Sequence, residues 1–129
     1  MFEFNMDVKT RDEIIFGEYA PEKYLGGTRW FEGMNIDTVK RLMEMKYMDP
    51  DEAQNASPTI KELVDYAEQY DGYTFGGYTV SIDRCDYRVS LESISKGGKA
   101  DADEVISFTK EFHSADEFDI DGCLYAWWD

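Results

Sequence analysis

The chain has 129 residues, with 28 Asp and Glu against 13 Lys and Arg and a formal net charge of −15. That length suits one domain, residues 1–129, and a field of one sign repels nucleic acid and attracts basic surfaces. Composition is 43% hydrophobic and 16% aromatic, too rich in aromatics for a disordered chain, so a folded core is expected.

The opening MFEFNMD is acidic where a secretory signal needs positive charge, and no apolar run approaches about 18 residues. Cys85 and Cys123 form neither a CxxC pair nor a zinc pattern. The expectation is a soluble, cytoplasmic protein with two reduced thiols and no membrane partner. The Asn55-Ala56-Ser57 sequon is then irrelevant, and Pro58 disfavours it.

In chain order, Phe2-Glu3-Phe4 alternates like a short strand, and Asp12 to Tyr19 suits a short helix ended before Pro21. Gly26-Gly27 marks a turn, and Trp30-Phe31 is expected against the core. A helix is predicted from Asp37, its N-cap, to Tyr47, stopped by Met48-Asp49-Pro50. The clearest helix follows: Ser57 as cap, Pro58 at the first helical position, and Ile60, Leu63, Val64, Ala67 and Tyr70 along one side. Its other side carries Glu62, Asp65 and Glu68.

Tyr73–Phe75 and Tyr78–Ile82 flank Gly76-Gly77, which reads as a tight hairpin. Tyr87 to Ile94 alternates, with Tyr87, Val89, Leu91 and Ser93 on one face and Arg88, Ser90 and Glu92 on the other. Lys96-Gly97-Gly98-Lys99 reads as a loop. Residues 102–113 are ambiguous: Ile106, Phe108 and Phe112 suit a strand, whereas Val105, Phe108, Thr109 and Phe112 suit a helix opened by a capping box of Asp101 and Glu104, and the helix is preferred. Phe118–Ile120, Asp121-Gly122 and Cys123–Trp128 read as a closing hairpin. The predicted class is α+β, about three helices on an antiparallel sheet of four or five strands.

The charge is concentrated in two places. Residues 49–71 hold seven carboxylates against Lys61, and residues 101–129 hold nine against Lys110, so the rest of the chain is nearly neutral. The order helix, connector, helix, Gly-tipped hairpin over 37–82 resembles a winged helix-turn-helix. Its second helix, however, would turn Glu62, Asp65 and Glu68 toward phosphates, and DNA affinity rests on Lys and Arg. Direct nucleic-acid binding is therefore not expected.

Glu117-x-Asp119-x-Asp121-Gly122 resembles the start of a calcium loop, but Trp128 stands where the bidentate Glu belongs, so a hairpin turn is preferred and no metal is assigned. His113 is the single histidine. There is no nucleophile elbow, P-loop or dinucleotide fingerprint, and no catalytic residue or cofactor is assigned. A thiol–imidazole pair or a carboxylate pair would need proximity that the sequence does not reveal.

The function expected from these features is that of a non-enzymatic acidic binding protein whose partner is a basic protein surface, such as a nuclease. It would act in the manner of the DNA-mimic inhibitors of restriction or CRISPR enzymes, a comparison that rests on charge and size. Expected partner-binding residues are Glu62, Asp65, Glu68, Asp116, Glu117, Asp119 and Asp121, with Trp127 or Trp128 as an outward anchor. An immunity protein neutralising a basic toxin would use the same physics. A small-ligand binder or small enzyme would need an aromatic pocket.

Overall fold

The structure is a computed structural model that describes every residue except Asn55 and Lys99. The sequon's asparagine and the last residue of the loop expected over Lys96–Lys99 therefore lie outside the described residues; Lys96 and Gly97 of that expected loop instead extend a strand and pair with Leu124 and Cys123. Five strands are described: β1 (Thr28–Asn35), β2 (Thr74–Val80), β3 (Val89–Gly97), β4 (Glu117–Asp119) and β5 (Cys123–Trp127). They form one antiparallel sheet in the order β1-β2-β3-β5-β4. Four α-helices are described with them: α1 (Val8–Phe16), α2 (Ile36–Glu44), α3 (Ile60–Ala67) and α4 (Ala102–Phe112). The arrangement is α+β.

The helices share one side of the sheet because their apolar stripes need the same surface. Val39 and Leu42 of α2, Leu63 and Val64 of α3, and Phe108 and Phe112 of α4 meet Phe75, Leu91, Ile94 and Ala126 in a single core. Rings stiffen it: Phe108 stacks on Tyr73 at 5.9 Å and on Phe118 at 5.8 Å, while Phe112 meets Trp128 edge-on at 5.7 Å.

The helix starts differ from the sequence reading in their caps. Asn35 rather than Asp37 caps α2, accepting from Thr38 N. For α3 the cap is Thr59, not Ser57, and a reciprocal box with Glu62 satisfies both backbone donors. Ser57 is drawn away because its Oγ accepts from Gln54 N. Asp101 does cap α4, but Glu104 does not close a box with it. Its carboxylate turns inward and takes both bonds from Lys96 Nζ at 2.9 Å.

The largest correction concerns Gly76-Gly77. These glycines do not turn a hairpin; they sit inside the single strand β2. Neither has the positive φ a two-residue turn would need. A glycine inside a strand marks a bulge or a close backbone approach, and both occur here. A Cβ on Gly77 would collide with the Ser90 carbonyl, and one on Gly76 would meet Ser93 Oγ. The pairing shifts register there: Gly77 lies opposite Leu91, Gly76 opposite Ser93, and Glu92 is the extra residue between them. The parity of β3 therefore flips. Ser93 joins the face of Ser90 rather than that of Val89 and Leu91, and Ile94 enters the core.

The first 35 residues also differ from expectation. Phe2–Phe4 is not a strand, α1 starts earlier than Asp12, and residues 28–35 form an edge strand the sequence did not announce. Arg11 and Asp12 anchor this region although both are fully buried. Arg11 Nε meets Asp12 Oδ1 at 2.9 Å, Nη1 donates to Val80 O, and Nη2 donates to the Tyr24 hydroxyl. That hydroxyl in turn donates to Asp12 Oδ2 at 2.6 Å.

Two outcomes follow for equilibrium urea unfolding. Gly77→Ala forces β2 and β3 apart and lowers stability by about 1–3 kcal/mol. An unchanged midpoint would show that the strands have slack there. Asp12→Ala leaves Arg11 charged and uncompensated in the interior and costs about 3–5 kcal/mol. A loss below about 1 kcal/mol would mean that Val80 and Tyr24 suffice.

Candidate functional site: an acidic aromatic cleft on the uncovered sheet face

With the helices on one side, the opposite face of the sheet is left open. Alternation along the strands decides what it shows. Trp30 lies opposite Tyr78, and Tyr78 opposite Ser90. Next comes the row Gly76, Ser93, Trp127 and Glu117, then the row Thr74, Ser95, Tyr125 and Asp119. Small residues in the middle and large rings at either side make a trough of about 510 Å³. Trp30, which is 61% exposed, packs against Tyr78 at 5.2 Å on one side, and Tyr125 and Trp127 line the other.

Glu32 and Glu92 are the carboxylates lining the trough, and no Lys, Arg or His is among the described lining residues. Glu92 is only 8% exposed. The bulge brings it here, and it also borders an adjoining cavity of about 300 Å³. Burial holds its pKa above the ordinary glutamate value; the Trp127 indole N–H opposes the rise, and the negative charge of Asp129 adds to it. Among the described residues Glu92 has no ion pair. Tyr125 registers the same crowding: burial raises its pKa first, and then Glu117, Glu92 and Glu32 do so.

The adjoining cavity does contain cations, but they are already engaged. Arg88 meets Glu52 at 2.8 Å and Asp86 at 3.2 Å, and Arg84 meets Asp86 at 2.7 Å. Arg88 also lies over the Tyr78 ring at 5.5 Å. Glu52 has a raised pKa because burial outweighs its bonds from Ser90 and Arg88. Gln54 Nε2 donates to the Tyr78 hydroxyl and closes this end of the face.

The residues expected from sequence to meet a partner are dispersed. Glu62 and Asp65 lie on α3 and Glu68 is its C-cap, in the helix layer on the other side of the sheet. There Glu62 serves the Thr59 cap, Asp65 pairs with Lys61 at 2.7 Å, and Glu68 pairs with Lys40 at 3.2 Å. Asp116 Oδ2 accepts from Asp129 N, and Asp119 Oδ1 accepts from Asp121 N in the hairpin turn. Trp128 is buried against Phe112 at 3% exposure and cannot serve as an outward anchor. Glu117, Asp119 and Trp127 do share the open face. His113 is exposed at the end of α4 and bonded to Thr109 O, and Cys85 and Cys123 are free thiols. The sequence reading missed Trp30, Glu32 and Glu92 as site residues. The signal for Glu92 was present, since the apolar positions of β3 change parity between Leu91 and Ile94.

The stability consequence of Glu92 has a definite sign. A carboxyl whose folded pKa is raised holds its proton in the folded state where the unfolded chain has released it. Stability therefore falls as pH rises from the ordinary glutamate value through the raised one, and stays lower above it. Glu92→Gln removes this dependence. Thermal unfolding of the variant should show a higher Tm at neutral pH, with the difference closing below the ordinary glutamate range. A variant less stable at neutral pH would show that the charge is compensated. Comparison of the chain with protein-family models, curated proteins and solved structures gives no match, so the site's own geometry carries the functional reading.

Proposed function

We propose that this chain is a non-enzymatic acidic binding protein that recognises a basic protein surface through the uncovered face of its sheet. The observation that supports it best is the trough, walled by aromatic rings and edged by carboxylates with no cation among its described lining residues. Aromatic side chains in a partly desolvated recess are the usual carriers of binding energy. Surrounding carboxylates steer a basic partner toward them. Glu117 and Asp119 extend the negative edge along β4.

Inhibition of a nucleic-acid-binding protein and neutralisation of a basic toxin are two uses of the same surface. Mimicry of a phosphate backbone is the narrower form of the first. It would rest on the β4–β5 side alone, because the α3 carboxylates lie across the sheet and are paired or capping.

The test is titration of the purified chain with a short Lys/Arg-rich peptide and with duplex DNA, followed by tryptophan fluorescence. The peptide should saturate at low salt and weaken steeply between about 50 and 200 mM salt, while DNA gives no signal. The double reversal Glu117→Lys, Asp119→Lys should weaken the peptide about tenfold, or ~1.4 kcal/mol. Peptide binding that ignores both salt and the reversal would dismiss the reading.

A further inference from the structure

We propose that the recess at Glu92 is a guanidinium site, the seat for one arginine of the partner; the inference rests on the reading of a basic partner given above. Glu92 is more than nine-tenths buried, opens onto the trough, and has no ion pair among the described residues. The Trp127 indole N–H gives this carboxylate one hydrogen bond, but a buried carboxylate with no cation is still half of an interaction, and burying it costs the fold stability. Features that weaken a fold without a structural return are typical of binding sites.

The surroundings select the cation's shape. The bulge holds Glu92 beside the glycine-floored row of the sheet, where the missing side chain of Gly76 leaves the trough open. Trp30 stands on one side, with Tyr125 and Trp127 on the other, so a flat ligand can lie against rings while its edge meets the carboxylate. A guanidinium is planar, stacks on aromatic faces, is weakly hydrated and gives a carboxylate two parallel N–H bonds. An ammonium is compact and strongly hydrated and uses neither the walls nor the fork. Ser93 and Ser95 supply hydroxyl acceptors for the remaining N–H groups, and Glu32 adds a second carboxylate at the mouth. Within the trough an anion would meet Glu32 and Glu92 and no cation among the described lining residues.

The experiment is calorimetric titration with N-methylguanidinium, a capped arginine tripeptide and the matching lysine tripeptide. The arginine peptide should saturate and bind about tenfold more tightly than the lysine peptide. Glu92→Gln should weaken it by at least about tenfold while the variant stays folded by thermal unfolding. Trp127→Leu should weaken it similarly, and Glu13→Gln on α1 should leave it unchanged. Binding of the arginine peptide, with or without N-methylguanidinium, supports a polypeptide source. Saturation by N-methylguanidinium alone supports the site but assigns it to a free small cation. Equal affinity for lysine and arginine, or undiminished binding by Glu92→Gln, overturns the site. Salt-sensitive binding of basic peptides that survives Glu92→Gln would overturn this site yet leave the basic-partner reading intact. Guanidinium binding without affinity for basic peptides would do the reverse.

Discussion

The close approach of β2 to β3 at Gly76-Gly77 is the constraint on which the open face depends. The Ser90 carbonyl occupies the space that a Cβ on Gly77 would need, so the two backbones meet only because that position has no side chain. The register slips by one residue at this contact and leaves Glu92 unmatched. Because side chains alternate with a period of two, a one-residue slip exchanges the faces of everything beyond it. Ile94 thereby enters the core and Ser93 joins the trough. Without the slip Ser93 would face the helices, and Ile94 would stand on the open face opposite Thr74, where the small Ser95 now leaves the trough open.

Charge follows the same division. A sequence count treats all carboxylates alike, but the fold gives them different work. On α3 they cap the helix or meet lysines. Exposed pairs of this sort contribute little to stability, though they do blunt the local field. Inside, Asp12 and Glu104 hold Arg11 and Lys96. Glu32 and Glu92, the carboxylates lining the trough, have no ion pair among the described residues, and there the proposed reading gives the chain's net negative charge a direction. A partner would sense the whole molecule as acidic from a distance and this face as specific on contact.

Much of the architecture was legible because its signals are local. The stripe Ile60, Leu63, Val64 and Ala67 reads directly as α3, and Val105, Phe108 and Phe112 read as α4, since helical periodicity is visible within a few turns. The Asp121-Gly122 turn reads equally well, with Gly122 at φ 86°. Strand pairing is not local. Gly76-Gly77 carries the same letters whether it turns a hairpin or admits a neighbouring backbone, and only the partner strand decides between them. Residues 28–35 resisted for a similar reason. Glu32 and Gly33 form a bulge that breaks the alternation of β1, with Gly33 at φ 68°. The candidate site was legible in part, through Trp127, Glu117 and Asp119. Its centre at Glu92 depends on a register that emerges only when β1, β2, β3 and β5 lie side by side.

The two rims of the sheet constrain how another molecule can engage it. On the β1 rim the ladder is interrupted by the Glu32-Gly33 kink, and on the other rim β4 offers three residues, two of them acidic. Interrupted, short and charged rims discourage a foreign strand from annealing alongside. Recognition by main-chain ladder extension, as when an extended peptide lengthens a sheet, is thus obstructed on both flanks. A visitor to this molecule reads side chains standing on a pleated floor, and its own backbone can remain helical, looped or extended without changing what it finds.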